Sequence, residues 1–164
     1  MTLVLIVGLG IQGKKRKKIL DQLKIKSISL DPYVSNANYK SLELIPKKNL
    51  KEITHILICT PYNDRLKFLI FFLGFNVKIL IEKPLISSEK EKNFFVKNKN
   101  KIKSKIYSAY NHRFEDSILK CREVLKEKKI GKLYFCKMTY GNGTARNIKD
   151  SKWKNKNKGV IMDL

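Results

Sequence analysis

Residues 8–13 read Gly-Leu-Gly-Ile-Gln-Gly, three glycines in the spacing GxGxxG, and Asp31 follows eighteen positions after the last of them. That pattern suits an anion held by backbone. Gly8 allows a sharp turn, Gly10 lets main chain approach a pyrophosphate, and Gly13 lets a helix pack closely on a strand. The helix that starts there offers N–H groups without partners. An acid at the position of Asp31 accepts hydrogen bonds from ribose hydroxyls and repels a 2′-phosphate, which favours NAD over NADP. A second group with chemical potential is Glu82-Lys83-Pro84. A lysine in a half-enclosed place can take part in proton transfer.

These residues need a scaffold, and the hydrophobic pattern supplies one. Residues 3–7 form an apolar β-rich run ending at the glycines, and 14–23 follow as a helix with Ile19, Leu20 and Leu23 as its apolar positions. Strands are predicted over 25–30, 53–60, 77–81 and 105–110, with a helix over 64–72 that Gly74 stops. Ser87 or Ser88 can cap a helix through the nineties, Ser88 having Glu91 three residues on as a capping box. Strands alternating with helices predict a Rossmann-type α/β fold, a doubly wound, mostly parallel sheet covered on both faces. In such sheets ligands bind outside the carboxyl ends of the strands, where Thr60, Pro61, Glu82 and Lys83 would converge with the glycine turn.

Two other readings of the turn compete. Residues 8–14 also satisfy GxxxxGK, but Lys15 stands where a phosphohydrolase loop carries the Ser or Thr that holds magnesium. A glycine turn with no ligand is the plainer alternative. The lysines at 14, 15, 17 and 18 and Arg16 crowd the first turns of the helix, against its macrodipole. One or two could supplement pyrophosphate binding, the others being solvated surface charges.

The ordered set of motifs is similar to one family. GLGIQG at 8–13, Asp31, CTP at 59–61, EKP at 82–84, YNHRF at 110–114 and IGKL at 130–133 resemble the Gfo/Idh/MocA oxidoreductases, which include glucose-fructose oxidoreductase and inositol dehydrogenase. The resemblance implies an NAD-dependent enzyme moving a hydride between the nicotinamide and a hydroxyl of a sugar, sugar acid, nucleotide sugar or cyclitol. It makes Lys83 the catalytic or proton-relay lysine and implies a cis peptide bond before Pro84. Gly8, Leu9, Gly10, Ile11, Gln12, Gly13, Asp31, Thr60, Pro61 and Glu82 become cofactor-binding residues, and Asp163 maps to a family aspartate over the substrate. The chain departs from the family pattern at Tyr62 for the usual Asn, at Arg65 for the usual His, and at Asn157 and Lys158 for two glycines. The family's histidine beyond that aspartate has no counterpart.

The resemblance divides the chain into a dinucleotide domain over 1–114 and the beginning of a substrate and oligomerisation domain over 115–164. In the second part a helix is predicted over 117–128, with Ile118, Val124 and Leu125 on one side, then a half-exposed strand over 133–140 and a loop over 141–158. Family members run to about twice this length, so the chain is expected to be C-terminally truncated and poorly active alone. Homo-oligomer formation is expected of a full-length enzyme, not of this chain. A non-catalytic dinucleotide-binding module shares every N-terminal motif and stands as the alternative.

Composition bounds the remaining options. The formal charge is +22, which invites a nucleic-acid partner, but 31 of the 36 basic residues are Lys and only 5 are Arg. Base and phosphate readers favour the planar guanidinium, and no RNA-binding or zinc signature is present. No nucleic-acid partner is therefore expected. The most apolar stretch, 68–75, is too short for a bilayer, and the N-terminus lacks the pattern of a signal peptide, so a cytoplasmic protein without membrane partner is expected. Cys59, Cys121 and Cys136 lack metal-ligand spacing and are read as reduced, partly buried thiols. No metal site is expected. His55 and His112 are assigned no chemistry.

Overall fold

Val4–Val7, the sequence Val-Leu-Ile-Val, is buried at all four positions. A strand with both faces covered has no use for alternation, which is why it reads as an unbroken apolar run. It is β1, an interior strand of a five-stranded sheet with β2 (Ser27–Leu30), β3 (His55–Ile58), β4 (Lys78–Ile81) and β5 (Ile106–Ser108). The order is β2-β1-β3-β4-β5 and each neighbouring pair is parallel. This confirms the Rossmann-type α/β class. The structure, a computed structural model, describes residues 2–102 and 105–139, the Tyr62 side chain excepted.

The helices are α1 (Ile11–Gln22), α2 (Lys47–Glu52), α3 (Arg65–Phe72), α4 (Glu89–Lys97), α5 (Lys99–Ile102) and α6 (Asp116–Lys126), with single 3₁₀ turns at Tyr62–Asp64 and Asn111–Phe114. Parallel neighbours require crossovers, and the right-handed rule sends the β1-to-β2 connection and the β3-to-β4 connection to opposite faces. Beyond β2 the chain makes one further parallel bridge, Leu30 to Tyr39, in place of another strand. The core gathers Leu5, Val7, Ile56, Ile58 and Ile81 from the sheet with Phe68, Leu69 and Phe72 from α3. Burying each such side chain contributes about 1.5–3 kcal/mol.

Register fixes what lies at the sheet's upper edge. Val7 sits opposite Leu30 and Ile58, and Ile58 opposite Ile81. The next residues on the four strands are Gly8, Asp31, Cys59 and Glu82. Four motifs far apart in sequence therefore leave the sheet at one level.

The chain separates into two compact units, Met1–Ala109 and Tyr110–Leu164. In the second, α6 leaves Ile118 and Val124 half-buried while Leu125 is exposed, and Lys128 and Gly131 take positive φ after the helix. Of the strand predicted over 133–140, residues 133–139 are exposed chain without strand structure or a ladder partner among the described residues. Alternation encodes a half-buried strand only where a neighbouring strand takes its hydrogen bonds. Residue 140, the loop at 141–158 and Asp163 lie outside the described residues.

Candidate functional site

The glycine turn is built by contacts that tolerate no side chain at two of its three glycines. Gly8 has φ +90°, and a Cβ on it would lie 3.0 Å from the Thr60 nitrogen and 3.1 Å from the Thr60 methyl. On Gly13 a Cβ would come within 1.9 Å of the Gly8 carbonyl oxygen. Gly13 is also the one buried residue of α1, whose Ile19 is exposed. The helix is seated by close backbone approach instead of by the apolar stripe expected at 19, 20 and 23. Gly10 behaves differently, since a Cβ there would meet nothing within 4 Å. It caps α1 without a side-chain hydrogen bond, so the first-turn N–H groups receive no side-chain acceptor from the cap. The helix begins at Ile11, three residues ahead of the predicted start, because the turn itself supplies the cap.

Asp31 ties β2 to this turn. One carboxylate oxygen accepts from the Leu9 N–H at 2.7 Å, and the other from the N–H groups of Tyr33 and Val34 at 2.9 and 3.0 Å. Burial alone would raise its pKa, but these three donors, with Lys40 nearby, outweigh it and hold the carboxyl below its ordinary value. The acid is thus ionised and aimed at the glycine turn. Main-chain bonds from Gly8 to Leu30 at 2.8 Å and from Cys59 to Val7 at 2.8 Å complete the edge. The Thr60 hydroxyl oxygen is buried there with no hydrogen-bond partner among the described residues. An open glycine, a helix start without a side-chain cap, an anchored acid and an orphaned hydroxyl fit a polar, anionic ligand with a vicinal diol.

Ile11 and Gln12 are exposed at the start of α1, and Pro61 is exposed after Thr60. Lys83 and Pro84 are half-buried, and the bond joining them is cis, as the resemblance implies. Glu82 receives both Nε and Nη2 of Arg16 on one carboxylate oxygen, at 3.0 and 2.6 Å. Arg16 therefore turns across to the EKP segment. Cys59 lies beside this pair; burial first, then the Glu82 charge, opposed by Arg16, pushes its thiol up to about 12. Cys121 and Cys136 are exposed, which corrects their reading as partly buried thiols.

Sequence reasoning missed the group beneath Lys83. Arg65, 1% exposed, places Nε and Nη2 on the two carboxylate oxygens of Glu91 at 2.6 and 2.8 Å, and Glu91 is equally buried. The same guanidinium donates to the carbonyls of Glu82 at 2.8 Å and Leu85 at 3.0 Å. Ser88 accepts from the Glu91 N–H as the capping box requires, but the Glu91 side chain takes the N–H and hydroxyl of Ser87 instead of the Ser88 N–H. The available signal was compositional. In a chain with 31 Lys and only 5 Arg, an Arg beside the sheet is a residue to ask about, and Arg65 sits where an ammonium would not serve. His55 bonds Thr54 and His112 pairs with Glu115, each a local contact.

No family model matches the chain, and no curated protein matches it. Solved structures do. A myo-inositol 2-dehydrogenase from Lactobacillus plantarum superimposes with TM-score 0.59 at 21% identity, over 80% of this chain and 42% of that one. The WlbA dehydrogenase from Thermus thermophilus, in complex with NAD and UDP-GlcNAcA, gives 0.60 at 19% identity, over 77% and 47%. The WlbA dehydrogenase from Bordetella pertussis, in complex with NADH and UDP-GlcNAcA, gives 0.64 at 13%, over 80% and 44%. The class defined by fold is thus the Rossmann-type sheet shared with these dehydrogenases. Inositol dehydrogenase, one of the two enzymes that the motifs resemble, is among these structural neighbours, and the chain spans less than half the length of each. Among the described residues no helix is long and apolar enough to cross a membrane.

Proposed function

We propose that this chain is the cofactor-binding part of an NAD-dependent oxidoreductase acting on a hydroxyl of a sugar, sugar acid, nucleotide sugar or cyclitol. The observation that carries the reading is the glycine turn, clamped at Gly8 and Gly13 and open at Gly10, where the helix start has no side-chain cap. Gly10 and the N–H groups of Ile11, Gln12 and Gly13 would receive the pyrophosphate. Asp31, with acceptor capacity left after its three backbone bonds, would receive a ribose diol, and its charge disfavours a 2′-phosphate. Thr60, Pro61 and Glu82 line the approach toward Lys83. NAD, when bound, supplies the hydride acceptor. Lys83 Nζ takes the proton of the reacting hydroxyl or returns it. Residues 115–164, with Asp163, begin the substrate-holding part.

The neighbours bound to NAD or NADH and to a nucleotide sugar support this choice of cofactor and substrate class. Because the chain spans less than half of them, cofactor binding is the activity assigned to it alone, and steady oxidation of a polyol by the purified chain would contradict that assignment. Titration with NADH, NADPH and ADP-ribose tests the binding. NADH and ADP-ribose should bind, with NADPH weaker by about tenfold or more. Equal affinity for NADPH would overturn the role of Asp31, and no binding of ADP-ribose would overturn the dinucleotide reading.

A further inference from the structure

Arg16 and Arg65 are the two arginines of residues 1–109, and both act on the four-residue turn that follows β4. Arg65 reaches the turn from below. Its Nη1 holds the Glu82 carbonyl and its Nη2 the Leu85 carbonyl, so one rigid plane grips the main chain on both sides of Lys83-Pro84. The other edge of that plane is docked on Glu91, which Ser87 holds through an N–H at 2.8 Å and a hydroxyl at 2.7 Å. Arg16 grips the same turn from α1 through the Glu82 side chain.

A lysine offers three N–H donors from a single nitrogen and cannot make the four divergent bonds that Arg65 makes to both carboxylate oxygens and two carbonyls. A fully buried ion pair is also a poor source of stability, because apolar replacements are often as stable. A network of this cost beneath a surface turn makes sense as a means of holding one conformation. We infer that Arg65 is a positioning residue for Lys83, with Arg16 as a second hold, and that together they set where the Lys83 ammonium meets the nicotinamide end of the dinucleotide. This rests on the dinucleotide reading above.

The test is a double-mutant cycle on the full chain, read as the ratio of NADH affinity to ADP-ribose affinity. ADP-ribose lacks the nicotinamide, so the ratio isolates the Lys83 end of the site. Lys83→Met and Arg65→Lys should each lower the ratio at least about fivefold, and the double variant should be no worse than Lys83→Met alone. Additive losses would show that Arg65 acts independently of Lys83 and would overturn the inference, as would an unchanged ratio in either single variant. Should Arg65→Lys fail to fold, Arg16→Lys, at a partly exposed site, carries the same prediction and the same refutation. Absence of ADP-ribose binding in the unmodified chain would instead remove the dinucleotide reading, and the inference with it.

Discussion

The Asp31 carboxylate accepts the Leu9 N–H at 2.7 Å, joining the end of β2 to the middle of the glycine turn. The acid that would select the cofactor is thus also a structural member of the loop that would hold the phosphates. Replacing it changes two things at once.

Asp31→Ala leaves the N–H groups of Leu9, Tyr33 and Val34 without their acceptor. Hydrogen bonds to a charged group contribute about 1.5–3 kcal/mol each, so a stability loss of about 2 kcal/mol or more is expected. Urea unfolding measures it. ADP-ribose binding should weaken beyond what unfolding explains at concentrations where the variant is still folded.

The three glycines should separate cleanly. Gly13→Ala drives a Cβ against the Gly8 carbonyl, so the fold must yield, at about 3 kcal/mol or more. Gly10→Ala meets open space and has an ordinary backbone conformation, so the melting midpoint should hardly move. ADP-ribose affinity should nevertheless fall by about tenfold, because the new methyl group occupies the approach of the pyrophosphate. A Gly10→Ala variant with unchanged affinity would refute that assignment.

Acid stability should depend on Glu91. Burial opposes its ionisation, but the hydrogen bonds from Arg65 and Ser87 and the charge of Arg65 prevail and place its pKa below the ordinary 4.5. A carboxyl with a depressed folded-state pKa stabilises the fold above its unfolded pKa, and that contribution disappears as pH falls through the lower folded value. Glu91→Gln should therefore be less stable than the parent at pH 7, by about 3–5 kcal/mol, because Arg65 is left buried without its counter-charge. The difference should shrink as pH drops below 4.5. A constant difference from pH 7 to pH 3 would contradict this assignment.

Thiol reactivity should divide the cysteines two to one. Exposed Cys121 and Cys136 should react readily with a disulfide reagent at pH 8, whereas Cys59, with its thiol pushed up to about 12, should wait for unfolding. Three fast thiols in the native chain would contradict the packing of Cys59 against the Arg16–Glu82 pair.

The sequence alone determined the local parts. The apolar run at Val4–Val7 ending at a glycine turn read as a buried strand, Gly8 and Gly13 stood at the spacing of a tight strand-to-helix turn, and a serine cap was legible from hydroxyl and acid three residues apart. Each of those signals is short-range, written in neighbouring residues and their conformational limits. Tertiary structure decided what meets across the sheet. Parallel register brought Gly8, Asp31, Cys59 and Glu82 to one level, and only there did Arg16 find Glu82 and Arg65 find Glu91 together with two carbonyls. No periodicity announces a partner 66 or 26 positions away, because pairing depends on where the crossovers return the chain. The same reason removed the strand expected at 133–140: its alternation was visible, but a strand exists only beside another.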